Sequence, residues 1–282
     1  MSIKTDLIKE QQKWALEAGL EPDSRGYLRS YELNLFRPLK ERSRQAFDKG
    51  SGSELRDTSR YPAKMRAAHS SSALAVNVFD SWVGKDTGPL DNALSLDSGT
   101  VNIRFEEQYP TGLPGNSPNL DVVLLRTDGF VIGIESKFTE WLTPKSASRP
   151  PFKEKYFPLG TGVWDKVGLI NTQRLAASIY SKAVTFRHLD APQLIKHALG
   201  LATHLGTKFR LFYIYYDCSG DEAAVHKSEI AAFSERVREE LGFQAMSYQE
   251  LFSRLYKSAD APVDYLDYLR LRYFRRAAEQ QL

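Results

Sequence analysis

Two acidic residues and a lysine stand close together in the stretch from Pro118 to Glu140. Residues 120–125 and 130–138 are apolar runs rich in β-branched side chains, and the residues between them are typical of a turn. A three-residue hairpin loop usually ends in a left-handed residue, and Gly129 occupies that position. The sequence therefore predicts a β-hairpin that pairs the residue before the loop with the residue after it.

This register places Asp121 directly opposite Glu135, and it places Lys137 on the same sheet face because side chains alternate along a strand. Two adjacent carboxylates repel each other strongly, so something must offset their charge. A divalent cation would do so, and Mg²⁺ prefers carboxylate oxygens. Lys137 could offset part of the repulsion instead, which would make the three residues an ordinary charged cluster at a solvated edge. Both interpretations fit the residues alone.

The elements around the hairpin predict how it is held. The face opposite the acids is wholly apolar, so both strands belong to a core. Further strands are predicted over residues 101–109, 209–216 and 243–246. Helices are predicted over residues 5–18, 31–47, 70–83, 167–188, 192–205 and 221–241, from residue 247, and over 262–274. This order predicts an α/β fold, a mixed β-sheet core flanked by helices, with helical N- and C-terminal extensions.

Three parts are predicted along the chain: a helical arm and linker (1–65), a core (66–247) and a C-terminal helical extension packed on the core (248–282). Residues 48–62 are poor in apolar side chains and predict a linker or mobile loop. Residues 141–162 contain four prolines and predict a long functional or mobile loop beside the acids.

Composition narrows the class of protein. Its apolar and charged fractions are ordinary for a globular protein, and the net charge of +3 permits nucleic-acid binding without requiring it. The single cysteine, Cys218, excludes an internal disulfide framework and a cysteine-rich zinc site. No apolar run approaches a membrane-spanning length, and there is no secretory leader pattern. We therefore expect a cytoplasmic protein without a membrane partner.

The sequence PNLD, from Pro118 to Asp121, followed by ESK, from Glu135 to Lys137, resembles the signature of the PD-(D/E)XK nucleases, the restriction-endonuclease-like superfamily. In that signature a proline and an aspartate near the start of one strand precede Glu-X-Lys on the next. Two residues separate the proline from the aspartate here, whereas the family often has them adjacent. The resemblance is most specific over residues 101–138, and it does not cover the first hundred residues or the C-terminal tail.

The resemblance implies roles for the residues of the hairpin. Asp121 and Glu135 would bind Mg²⁺, with the Ser136 backbone carbonyl as a further ligand and Mn²⁺ as a substitute ion. Lys137 would orient or deprotonate the attacking water, or stabilise developing negative charge.

Members of the family often carry one more acid before the motif. Glu106 and Glu107 are the candidates, and neighbouring residues of a strand face opposite sides. We favour Glu107 as the catalytic one, although both could be charges at the strand end. Some members also carry a glutamine on the helix beside the site, and Gln193 stands where that residue would fall. His197 follows one turn later, either as a functional group or as a surface or core-edge histidine.

Together these features imply a metal-dependent endonuclease that hydrolyses phosphodiester bonds in DNA, with a restriction, defence or repair role in a prokaryote. Two alternatives remain open: a structure-specific nuclease that cuts branched DNA, and a binding module that keeps the fold without catalysis. Many relatives dimerise, so a homodimer is a further expectation. Two basic groups could contact phosphates or be balanced by nearby acids. They are Arg37, Lys40, Arg42 and Arg44, and Arg270, Arg272, Arg275 and Arg276.

Overall fold

The computed structural model describes residues 2–50, 52–146, 150–160 and 162–275, and within them the chain forms a mixed sheet flanked by helices. The strands are β1 (Thr100–Gln108), β2 (Asn119–Arg126), β3 (Val131–Lys137), β4 (Phe209–Tyr215) and β5 (Gln244–Ser247). The helices are α1 (Ile3–Glu17), α2 (Glu41–Lys49), α3 (Ser71–Phe79), α4 (Gly88–Ala93), α5 (Ile170–Tyr180), α6 (Ala191–Leu205), α7 (Asp221–Leu241), α8 (Tyr248–Tyr256) and α9 (Val263–Tyr273). This is the α/β architecture that the order of apolar runs predicts.

The five strands lie in the order β1-β2-β3-β4-β5. β1, β2 and β3 are antiparallel, whereas β4 and β5 continue the sheet in parallel with β3. Val122 pairs with Ile134, which confirms the predicted register of the hairpin. Gly129 has a φ of 79°, the left-handed conformation that its place in the three-residue loop predicts.

Helices cover both faces of the sheet. Glu135 of β3 meets His197 of α6 on one face, where α5 and α7 also lie. Its neighbour Ser136 points to the other face, where its hydroxyl lies 2.6 Å from the hydroxyl of Tyr248 in α8. α3 packs on β2 and β3 as well. Because successive side chains of a strand alternate, β3 directs Glu135 to one helical layer and Ile132 and Ile134 to the other.

The terminal helices pack on one another and on the sheet. Leu7 of α1 and Leu269 of α9 belong to the same buried apolar cluster as the strands. Between these helices lies Arg272, whose guanidinium sits 4.2 Å from the ring centroid of Trp14 and donates to the Asn34 carbonyl at 2.6 Å. The predicted arm and C-terminal extension are therefore joined to the core through buried contacts, and residues 276–282 lie outside the described residues.

Two predicted helices are shorter than their sequence patterns indicate. Residues 31–47 contain a 3-10 turn at Glu32–Asn34 and the separate helix α2, because Pro38 cannot continue a helix and disfavours helical backbone before it. The helix predicted over 167–188 ends as α5 at Tyr180, and Lys182 just beyond it adopts a left-handed φ of 63°. α4, which starts with Pro89 in its first turn, was not predicted.

Residues 141–162 form no long helix or strand where they are described, as the predicted loop requires, although Glu154–Tyr156 make a 3-10 turn. Residues 147–149 and 161 of this loop lie outside the described residues. Within the described part of the chain, no helix is both long and apolar enough to cross a membrane.

Gly200 allows α6 to lie close to the end of β1. A methyl group at this position would overlap the backbone carbonyl oxygen of Tyr109. An alanine in an open helical position would stabilise the helix by about 1 kcal/mol, whereas overpacking a core costs about 1–3 kcal/mol. We therefore predict that Gly200→Ala lowers the free energy of unfolding by up to about 2 kcal/mol in urea titrations, because the helix gain offsets part of the overpacking cost. Thr203→Ala, on the exposed side of α6, should change it by less than about 0.5 kcal/mol. A stabilised Gly200→Ala protein would contradict this close packing.

Candidate active site

The strands of the hairpin separate where its acidic residues begin. Regular pairing between β2 and β3 ends at Val122 and Ile134. Beyond that pair, the backbone N–H of Ser136 donates to Oδ2 of Asp121 at 2.7 Å. The N–H of Tyr216 donates to the Lys137 carbonyl, so the backbone of Lys137 faces β4 and that of Ser136 faces β2. The Ser136 carbonyl is therefore directed to the same gap as the Asp121 carboxylate.

Glu135 is the buried centre of the cluster, with about 1% of its surface exposed. Its Oε1 accepts a short charged hydrogen bond from Nζ of Lys137. Its Oε2 lies 2.9 Å from Nε2 of His197, which is equally buried. In the parallel ladder Glu135 is next to Tyr213 of β4, so an aromatic ring flanks the acid on its other side. The structure thus brings Asp121, Glu135 and Lys137 together as the hairpin predicts, and it places His197, whose role the sequence left open, beside Glu135.

The two carboxylates respond to this environment in opposite ways. Burial raises the pKa of Glu135, but Lys137 and His197 outweigh burial and hold that pKa at about 2. Burial and the neighbouring Glu135 charge raise the pKa of Asp121 well above its usual range, although Lys137 opposes them. Burial lowers the pKa of Lys137, yet the acids around it raise that pKa well above its usual range. In this arrangement Glu135 and Lys137 are ionised, and the charge of Asp121 is the one without adequate compensation.

Of the two candidate acids on β1, the structure brings Glu106 to the cluster and not Glu107. Phe105 pairs with Val122 and Glu107 with Leu120, so Glu106 falls across from Asp121. Glu106 is in left-handed backbone with a φ of 52°, which interrupts the side-chain alternation used to favour Glu107. The Glu107 carboxylate instead lies 3.5 Å from the Arg104 guanidinium.

Glu106 also lies in an environment that disfavours its charge. Burial and the charges of Glu54 and Glu135 raise its pKa, although Asn119 donates to its carboxylate at 2.6 Å. Glu54 comes from the predicted linker, is buried, and accepts from the Ser72 hydroxyl at 2.7 Å. The linker therefore reaches the edge of the acidic cluster. No periodicity in residues 48–62 could have revealed this contact, because it joins segments far apart in the chain.

Gln193 lies in the first turn of α6, one turn before His197. Its backbone N–H is capped by the Asp190 carboxylate at 3.2 Å, and its side chain is half-buried. No hydrogen bond of the Gln193 side chain is found within the described residues. The structure thus places Gln193 on the helix of the site, while His197 makes the contact with the acids.

Several residues of the two basic groups are paired or buried. Arg37 lies 2.6 Å from Asp264, and Arg44 bridges Glu41 and Asp48. Arg272 is buried under aromatic rings, so it is not available to phosphates. Arg276 lies outside the described residues.

The residues of the cluster fit a hard divalent cation. Asp121 and Glu135 supply carboxylates whose mutual repulsion a cation would relieve, and the Ser136 carbonyl is directed to the same gap. Oε2 of Glu135 is buried without a well-directed hydrogen bond in the described part of the chain. Among those same residues no group of three or more His, Cys, Asp or Glu side chains is arranged around one metal position. Two carboxylates and one carbonyl would leave the other positions around such an ion to water.

A family model described as Restriction Endonuclease associating with ARP (REase-ARP) matches residues 6–274. The chain belongs to this family. The match extends from α1 to the end of α9, well beyond the strands that carry the acidic motif. No curated protein and no solved structure matches the chain.

Membership in the REase-ARP family confirms the resemblance to PD-(D/E)XK nucleases and the restriction-endonuclease-like fold. The family description also points to an endonuclease. The mixed sheet, with Asp121 on β2 and Glu135 and Lys137 on β3, is the arrangement expected of such a fold.

The opposite pKa shifts of the two carboxylates predict opposite effects on stability. In metal-free protein, Asp121→Asn should raise the free energy of unfolding by about 1 kcal/mol, because it removes an uncompensated charge. Glu135→Gln should lower it by about 3 kcal/mol, because a pKa of about 2 favours the ionised form by that order. Urea unfolding with a chelator at neutral pH measures both. Glu239→Gln, exposed on α7, is the control and should have no effect. Equal signs for the two variants would refute this charge balance.

Proposed function

We propose that the protein is a metal-dependent endonuclease that hydrolyses phosphodiester bonds in DNA and serves in restriction, defence or repair. The observation that carries the proposal is the joint position of Asp121, Glu135 and Lys137 at the point where β2 and β3 separate. Family membership supports the endonuclease class. The cation, the DNA substrate and the biological role are parts of the proposal.

Asp121, Glu135 and the Ser136 carbonyl would hold Mg²⁺, with Mn²⁺ as a substitute. When bound, such an ion polarises a phosphoryl oxygen and lowers the pKa of a bound water. Asp121 is the more accessible of the two acids, since it is half-buried whereas Glu135 is almost fully buried. Glu135 would therefore be the buried ligand of the cation, and Asp121 would be the ligand closer to solvent.

Lys137 contributes a charge that no other residue of the cluster replaces. Its ammonium group donates to Glu135, and about 15% of its side chain is exposed. A protonated lysine is a donor and not a proton acceptor, so its role would be to stabilise negative charge on the reacting phosphate and orient the attacking water. Of the roles that the motif leaves open for Lys137, deprotonation of the attacking water is therefore the one that we exclude from the proposal.

Glu106 would be the additional acid of the site. It is a non-glycine residue held in left-handed backbone across from Asp121, and residues in such strained conformations concentrate at functional sites. Its position on β1 would extend the row of carboxylates over three adjacent strands.

Cleavage of supercoiled plasmid with Mg²⁺ or Mn²⁺ tests the proposed activity. Lys137→Ala should lower the cleavage rate by about 10²–10³-fold, because it removes the charge that stabilises the reacting phosphate. Lys208→Ala is the matched control, since Lys208 is exposed and lies next to Val131 at the opposite end of β3. Lys208→Ala should cleave at the wild-type rate. A chelator should stop cleavage by wild type and by Lys208→Ala.

Equal cleavage by wild type and Lys137→Ala would place the activity elsewhere. No cleavage of plasmid or branched DNA by wild type, with no Mn²⁺ bound in calorimetry, would instead favour a binding module on the same fold. Preference for branched DNA over linear duplex would indicate a structure-specific nuclease. Light scattering on the same preparation tests the homodimer that the family resemblance implies.

Adjacent substitutions on β1 test which acid joins the site. Glu106→Gln should lower the metal-dependent cleavage rate by about 10-fold or more, because it removes the additional acid proposed for the site. Glu107→Gln should leave the rate unchanged, because that carboxylate is directed to Arg104. Initial cleavage rates at saturating Mn²⁺ compare the two variants. A slow Glu107→Gln and an unaffected Glu106→Gln would instead support Glu107 as the catalytic acid.

A further inference from the structure

One face of α6 carries a polar residue where packing alone would favour an apolar one. Leu194, Ala198 and Leu201 are buried on this face, and His197 lies among them with about 3% of its surface exposed. Trp164 donates its indole N–H to the Ile195 carbonyl at 2.9 Å, which fixes the helix at this turn. Burying an imidazole without a partner is costly, so the position of His197 requires a compensating interaction.

That interaction is with Glu135. Nε2 of His197 and Oε2 of Glu135 are 2.9 Å apart, and this contact is the closest polar approach to either atom, because neither has a well-directed hydrogen bond within the described residues. An unprotonated imidazole nitrogen facing a carboxylate oxygen at this distance would place two lone pairs against each other. The proton therefore belongs on Nε2, whether the ring is neutral or charged.

The two oxygens of Glu135 thus have different partners. Lys137 donates to Oε1 from the same strand, whereas His197 approaches Oε2 from the helix above the sheet. If Lys137 were its only partner, the Glu135 carboxylate could rotate, because the long lysine side chain is flexible and could move with it. With His197 on the other oxygen, the plane of the carboxylate is defined by two contacts from different elements.

We propose that His197 is a positioning residue that donates its Nε2 proton to Oε2 of Glu135 and so fixes this carboxylate for cation binding. The inference rests on the proposed function, since it assumes that Glu135 is a metal ligand. His197 acts through Glu135 and contributes no charge to the substrate. Partners that orient a ligating side chain commonly change metal affinity by about 10–100-fold when removed.

Two substitutions of His197 separate hydrogen-bond donation from packing. Glutamine carries an amide N–H at nearly the position of Nε2, whereas leucine fills the space without a donor. The probe is Mn²⁺ alone, titrated calorimetrically into the full chain, with urea unfolding to show that each variant is folded. His204→Gln is the control, because His204 lies on the same helix but is exposed and contacts the Pro110 carbonyl.

We expect His197→Leu to weaken Mn²⁺ binding about 10–100-fold, and we expect His197→Gln and His204→Gln to bind nearly as wild type. Wild-type affinity in folded His197→Leu would overturn the proposal, because packing would then suffice. Loss of affinity in both folded His197 variants would also overturn it, since it would require the imidazole itself.

A second measurement does not depend on metal or on cleavage. Nitrogen-15 spectra of histidine-labelled, metal-free protein should show His197 protonated at Nε2, and Glu135→Gln should shift that resonance. An unprotonated Nε2 would overturn the positioning role even if the protein proved to be a nuclease. A protonated Nε2 that senses Glu135 in a protein that binds no Mn²⁺ would support the hydrogen bond while the metal part of the proposed function failed.

Discussion

The charge balance of Glu135 is the constraint on which the candidate site depends. Its carboxylate is almost fully buried, and an isolated charge in that position would be strongly unfavourable. Lys137 from the same strand and His197 from α6 provide the compensation. The packing of α6 on the sheet therefore contributes to the charge balance of Glu135 as well as to the core. Loss of Lys137 would leave the buried Glu135 charge without its cationic partner, and loss of His197 would leave Oε2 without the imidazole beside it.

Asp121 lies in the same cluster without comparable compensation. Burial raises its pKa, and the charges of Glu135 on one side and Glu106 on the other raise that pKa further. A chain selected only for stability would not align three carboxylates on adjacent strands. The left-handed backbone at Glu106 adds a second local cost at the same place. Local costs of this kind are common where structure is maintained for a reaction and not for stability.

The terminal helices belong to the same body as the site. Arg272 joins α9 to α1 through Trp14 and Asn34, and α8 contacts Ser136 beneath the acids through Tyr248. The linker brings Glu54 to the edge of the cluster. These contacts give a structural reason why the REase-ARP match covers residues 6–274 and is not confined to the motif.

Local features of the sequence were enough to predict the hairpin, its register as far as Val122 and Ile134, and the proximity of Asp121 to Glu135. Gly129 fixes the loop and therefore the register, and the alternation of side chains along each strand decides which sheet face a residue occupies. Both effects act over only a few residues. The choice between Glu106 and Glu107 could not be made this way, because one left-handed residue breaks the alternation. The contacts of His197 and Glu54 with the acidic cluster were decided only by tertiary structure. They depend on how α6 and the linker pack on the sheet, and residues so distant in sequence leave no local pattern that specifies their contact.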